Sequence, residues 1–367
     1  MASRLVSLAV MALLSSVACG GNPSATSPTP SPAPSPSTTA SSSPSANPSP
    51  TPPANTCGAP AITPVASAPA LVRASMAYDK ASKQTILLGV HQSGTKSETW
   101  AWTAAAGWKL LTPAHVPPGR TWGNMAYDDA TQQIALYGGQ SATPTGGALN
   151  PFADTWTWDG TDWTQRAPAT SPPPTIFLPM AYDAGTQTVI GVRDNDPTPT
   201  TSTWQWDGTN WSRLTTTHNP SWPKQGAGIA YSTATSDMVL FGTVYGLGVT
   251  TDPKTWTFKS NTWTAHGASP RPRSAPSMSE DTRGGVLLFG GATTGGAAYG
   301  ETWTWFQDVW RKLSPSRAPH ARSGAAMAYD STCGTALLYG GEVSTQVTAV
   351  YYTDSWAWDG QIWTKVG

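Results

Sequence analysis

The chain has 367 residues, of which 11% are charged, and its 21 basic side chains balance 21 acidic ones. With neither a basic stripe nor an acidic tail, capture of nucleic acid or anionic lipid by charge is excluded as the main activity. Length alone would allow two or three domains, but a repeat at a fixed period favours one closed array.

In chain order, Arg4 is followed by an apolar run from Leu5 to Leu14 and then by Ser15, Ser16, Val17, Ala18 and Cys19. This reads as an export signal, too short to remain as a membrane span. Small residues ahead of a cysteine resemble the bacterial lipoprotein signal, although Ser16 stands where that signal usually has Leu. The resemblance implies a signal peptide over residues 1–18, a lipid on Cys19 and an extracytoplasmic, membrane-anchored protein. Ordinary cleavage after Ala18, giving a secreted protein, is the alternative.

Residues 19–56 are almost wholly Pro, Ser, Thr, Ala, Asn and Gly, and no charge occurs between Arg4 and Arg73. Such a composition cannot bury a core. It reads as an extended, disordered tether, on the order of 100 Å if fully stretched. With Cys19 lipidated, Cys57 and Cys333 remain as an even pair in an oxidising compartment, and a bridge between them would join the two ends of the repeat array.

From residue 57 to 367 the chain repeats. Six aromatic triplets recur: Trp100/Trp102/Trp108, Trp156/Trp158/Trp163, Trp204/Trp206/Trp211, Trp256/Phe258/Trp263, Trp303/Trp305/Trp310 and Trp356/Trp358/Trp363. Each follows an apolar core marked by Met76, Met125, Met180, Ile229, Met278 or Met327, spaced 49, 55, 49, 49 and 49 residues apart. In the second unit, Asn124–Tyr127, Ile134–Tyr137, Thr155–Trp158 and the segment from Trp163 read as four strands. Asp128–Thr131 and Asp159–Gly160 supply turns. A four-stranded meander has two apolar faces, and stacking such sheets as blades around an axis buries both. The expected fold is therefore all-β, a six-bladed β-propeller. Tryptophans at i and i+2 of the third strand share one face and are expected to fill the gaps between blades.

The Gly-Gly pairs at Gly138-Gly139, Gly290-Gly291 and Gly340-Gly341, the aromatics of strand three and the Trp of strand four resemble the kelch family. A looser resemblance is to the propeller domain of galactose oxidase. Three units keep one glycine each, Gly89, Gly191 and Gly242, and unit five is read as replacing Tyr-Asp by Ser279 and Glu280. The resemblance implies the fold and is nearly silent about activity.

Function is expected on the face where the 4→1 and 2→3 loops open. Aromatics outside the packing motif gather there: Trp122, Phe177, Trp222, Tyr245, Tyr299 and Tyr351, with Tyr352. They could stack on sugars, anchor peptides or simply cap the core. Basic residues ahead of strand one (Arg73, Arg120, Arg273, Arg322) accompany acids ahead of strand three (Glu98, Asp154, Glu301, Asp354). They are absent together from unit three, as ion pairs within a blade would require. Units three and four would then leave Arg193, Lys224 and Lys254 for an anionic ligand.

Five scattered histidines, with Cys333 in a turn on the other face, offer neither a metal site nor copper-radical chemistry, and no phosphate loop or nucleophile elbow occurs. No cofactor, metal or catalytic residue is expected. The leading reading is an exported, tethered monomer that binds a glycan or protein ligand of the cell envelope. The alternatives are a carbohydrate-active propeller enzyme of the epimerase or lyase type and an envelope spacer without a specific ligand.

Overall fold

Alternation of apolar and polar residues over four to six positions, punctuated by Asp- and Gly-rich turns, favours short paired strands over helices. A computed structural model describes Cys57 and residues 69–367 apart from 93, 143–149, 194–200, 221–225, 243–253, 268–269, 294 and 345–348. Six four-stranded antiparallel sheets follow one another. The second unit runs Asn124–Asp128, Gln133–Tyr137, Thr155–Trp158 and Trp163–Arg166. The others repeat it, from Leu71–Asp79 at the start of the first to Trp363–Lys365 at the end of the sixth. The first strands lie side by side in a closed ring, so they are innermost and the sheets radiate as blades of a β-propeller.

The hairpins between strands one and two are built by an aspartate. Asp79, Asp128, Asp183 and Asp330 each accept backbone N–H groups two or three residues on. Blade five keeps this residue as Asp281, which accepts from Thr282 N at 2.8 Å. The substitution in that blade is thus Ser279-Glu280 for Ala-Tyr, one residue earlier in register than the sequence pattern suggests.

The core divides into six clusters, each shared by two neighbouring blades, the sixth and first included. The strand-three tryptophans project into these gaps as expected. Trp158, Trp206, Trp305 and Trp358 are fully buried, and their rings tilt against the strand-four Trp at 5.3–5.5 Å. The strand-four indole then donates to a hydroxyl of the preceding blade: Trp163 to Thr99, Trp211 to Thr155, Trp263 to Thr203, Trp310 to Thr255 and Trp363 to Thr302, at 2.7–3.0 Å. Trp108 completes the series onto Ser355 of blade six.

Ring closure therefore uses the same contacts as every other junction. Tyr339 adds to it, its hydroxyl accepting from Leu71 N at 3.0 Å. A disulfide joins Cys57 to Cys333, with their Cα atoms 5.0 Å apart.

Among the described residues no helix is long and apolar enough to cross a membrane.

Candidate functional site

Alignment of the six units on Met76, Met125, Met180, Ile229, Met278 and Met327 shows which residues lead into the inner strands. Five residues earlier lie Leu71, Arg120, Thr175, Lys224, Arg273 and Arg322. Three residues earlier lie Arg73, Trp122, Phe177, Gly226, Ala275 and Gly324.

The three arginines of the first set are structural. Arg120, Arg273 and Arg322 are almost wholly buried, and each guanidinium is satisfied in the same way. Nη1 donates to the carbonyl of the first glycine of the Gly-Gly pair, Gly138, Gly290 or Gly340, at 2.8–3.0 Å. Nε donates to a carbonyl two residues back. The acid before strand three pairs with the rest: Asp154 at 2.7 Å, Glu301 at 2.8 Å and Asp354 at 2.5 Å. These glycines have φ between +66° and +70°, and a Cβ would meet Thr175 O at 2.6 Å on Gly138 and Arg322 O at 2.3 Å on Gly290. The pair is thus needed for conformation and for close approach alike.

The same carboxylates also accept the first indole N–H of the triplet, from Trp156, Trp303 and Trp356 at 2.7–3.1 Å. Burial opposes ionisation of Glu301, but hydrogen bonds from Lys312, Arg273 and Trp303 bring it down to about 2. Burial likewise opposes ionisation of Asp154 and Asp354, while Arg120 with Trp156, and Arg322 with Trp356, hold them below the usual range. An aromatic ring covers each guanidinium, Phe152, Tyr299 or Tyr352, at 4.1–4.3 Å. Tyr299, expected among the ligand contacts, is placed on Arg273.

Arg73 does not belong to this set. A bulge between Val72 and Ser75 moves it to the second, and the expected pair with Glu98 does not form. Glu98 accepts from Trp100 at 2.9 Å and meets His91 at 3.1 Å. Arg73 reaches instead to Glu342 of blade six, Nε to Oε2 at 3.1 Å.

The second set forms the rim of the axial channel on the face of the 4→1 and 2→3 loops. Trp122 N donates to Arg73 O, Ala275 N to Gly226 O and Gly324 N to Ala275 O, at 2.7–3.0 Å, tying the rim between blades one and two, four and five, and five and six. Five of the six positions, all but Phe177, have a left-handed backbone: φ is +48° at Arg73, +59° at Trp122, +67° at Gly226, +48° at Ala275 and +62° at Gly324. Glycine is the residue suited to that conformation, and a bulky side chain there is an outlier.

Half the rim is large and half is small. Trp122 packs edge-on to Phe177 at 5.3 Å, and the Arg73 guanidinium lies 5.3 Å from the Trp122 ring and 5.7 Å from Tyr351. The indole passes blade one to reach blade six, where a Cβ on Gly324 would sit 2.6 Å from its edge. Trp122 thus reaches across this mouth of the channel, and Trp122, Phe177 and Tyr351 remain partly exposed around Arg73.

The structure brings Trp122, Phe177 and Tyr351 together. Arg193 and Lys254 each have a partner within the chain, so the expectation that they stand free does not hold. Trp222, Lys224, Tyr245 and Cys19 lie outside the described residues. The sequence pattern did not mark Arg73 and Glu342 as members of the cluster; counting back three residues from each Met would have exposed Arg73. Among the described residues no group of His, Cys, Asp and Glu could hold a metal.

No family model and no curated protein sequence matches the chain. Among solved structures it is similar to that of YjhT, with 14% identity over 83% of this chain and 99% of that one and a TM-score of 0.58. At that identity the likeness concerns the fold, the β-propeller.

Proposed function

We propose that this propeller, built of kelch-like repeats, is an exported binding protein, anchored by a lipid on Cys19 and held off a bacterial membrane by residues 19–56. Its ligand is a glycan of the envelope, bound on the rim around Trp122. One observation carries the reading. At a position whose backbone favours glycine, the chain places Arg73 and Trp122, backed by Phe177, in a continuous partly exposed platform at the axis.

A tryptophan in a left-handed conformation costs about 1–2 kcal/mol relative to glycine, so its retention is best explained by what the side chain does. A flat indole face suits a sugar ring, while the Arg73–Glu342 pair offers donors and acceptors to hydroxyl groups. The Cys57–Cys333 bridge supports an oxidising compartment. The test is retention on an oligosaccharide array, wild type against Trp122→Gly; retention on peptides instead of sugars would replace the glycan by a protein ligand.

A further inference from the structure

The opposite end of the channel is a different site. A cavity of about 210 Å³ runs along the axis, lined by Met76 and its five counterparts and by the tyrosine ring Tyr78, Tyr127, Tyr182, Tyr231 and Tyr329. It also touches Lys80, Asp129, Ala184 and Thr233 in the hairpins between strands one and two, which places its mouth on the face remote from Trp122. None of the rim residues that surround Trp122 contributes to its wall.

Repeat symmetry is broken at one place. Glu280 occupies the sixth tyrosine position, and its Oε1 accepts the Thr233 hydroxyl at 2.7 Å. The charged lining residues are two carboxylates, Asp129 and Glu280, and one ammonium, Lys80. That ammonium is bonded to Asp129 and lies 5.9 Å above the Tyr127 ring, and its charge partly offsets the rise of the Glu280 carboxyl. The chain's own alkylammonium thus shows how a cation sits between a tyrosine and a carboxylate here. Glu280 beside Tyr329 offers a second such seat, with no second cation among the lining residues.

We propose that the axial cavity binds a small organic cation, a primary amine or quaternary ammonium with an apolar body, its charge against Glu280 and its body along the methionine and alanine wall. The size fits: a dry cavity of about 150 Å³ admits benzene, so 210 Å³ takes a ring with a compact head group. Aromatic rings and a carboxylate in a partly desolvated setting are the chemistry that holds ammonium groups. Burial raises the Glu280 carboxyl above its ordinary value, and a cationic ligand would offset that penalty. Nothing in this site depends on the glycan platform, so either can fail alone.

Calorimetric titration of the whole protein with benzyltrimethylammonium, benzyl alcohol and benzoate tests it. The cation is expected to bind one per chain, with benzyl alcohol and benzoate at least about tenfold weaker. Glu280→Gln should weaken the cation at least about tenfold, and Glu280→Tyr, which restores the repeat, should abolish binding without lowering the melting temperature. Trp122→Ala should leave the affinity unchanged. Absence of saturable cation binding, equal binding of benzyl alcohol or benzoate, an unchanged affinity in Glu280→Gln, or loss of binding in Trp122→Ala would each overturn the proposal.

Discussion

The Trp108 indole nitrogen lies 2.8 Å from the Ser355 hydroxyl and joins the last blade to the first by the bond that joins every other pair of neighbours. Each of these indoles is buried, so losing its acceptor leaves a donor unpaired away from water, at about 1–3 kcal/mol. Ser355→Ala and Thr203→Ala are therefore expected to destabilise by similar amounts in urea unfolding, whereas Ser355→Thr restores the residue found at the other five junctions. A Ser355→Ala variant as stable as the wild type would show that closure does not use this bond.

The disulfide closes a loop with a sequence separation of 276 residues. In the chain-entropy view it stabilises by up to about 5 kcal/mol. Reduction, or Cys333→Ser, should lower the melting temperature by about 10 °C while leaving the strand content measured by circular dichroism unchanged. An unchanged melting temperature would mean that the six core clusters alone hold the ring.

Acid should weaken the ring through its buried arginines. Glu301 has an ordinary value of 4.5 and stands at about 2 in the fold. A depressed carboxyl stabilises fully above its unfolded value and loses that contribution as pH falls toward the folded one. Melting temperature should therefore drop between about pH 4.5 and 2, with Asp154 and Asp354 acting in the same direction, and Glu301→Gln should flatten part of the drop.

Glu280 has the opposite sign. Burial raises it, Thr233 and Lys80 oppose the rise, and Asp281 and Asp129 add to it. Its contribution is present below the ordinary value and lost as pH rises through the folded one. Glu280→Gln should thus raise the melting temperature at neutral pH and leave it unchanged in strong acid; a variant less stable at neutral pH would contradict this.

The blades were legible because three signals coincide in each unit: the apolar first strand, the paired aromatics and the Asp or Gly turns. Co-occurrence of Arg120, Arg273 and Arg322 with Asp154, Glu301 and Asp354 was legible for the same reason, since pairing within one sheet ties the two positions together. Arg73 was not, because a bulge between Val72 and Ser75 breaks the register that spacing assumes. The hydroxyl acceptors Thr99, Thr155, Thr203, Thr255, Thr302 and Ser355 were visible as a residue before each first aromatic, but their bonds cross between blades and only the ring shows them. The cavity beside Glu280 needed the same ring, since loop composition points to the other face.

Gly324 and Trp122 form a reciprocal pair: the glycine leaves the space that the indole fills. Gly324→Ala places a methyl 2.6 Å from that ring, at a φ of +62°. It should push the indole off the mouth, changing tryptophan fluorescence, and should weaken ligand binding without removing any group that touches the ligand. Unchanged fluorescence would place the indole elsewhere in solution.

Trp122→Gly relieves the strained backbone while losing the contacts with Arg73 and Phe177, so stability should change by no more than about 1 kcal/mol. That makes it the cleanest probe of the platform. The decisive measurement is retention of the intact protein, wild type and Trp122→Gly, on an array of neutral and N-acetylated oligosaccharides. Retention of the wild type on at least one sugar, weakened at least about tenfold in the variant at equal melting temperature, is the predicted result. Equal retention of both proteins, or no retention of the wild type on any sugar, would contradict it.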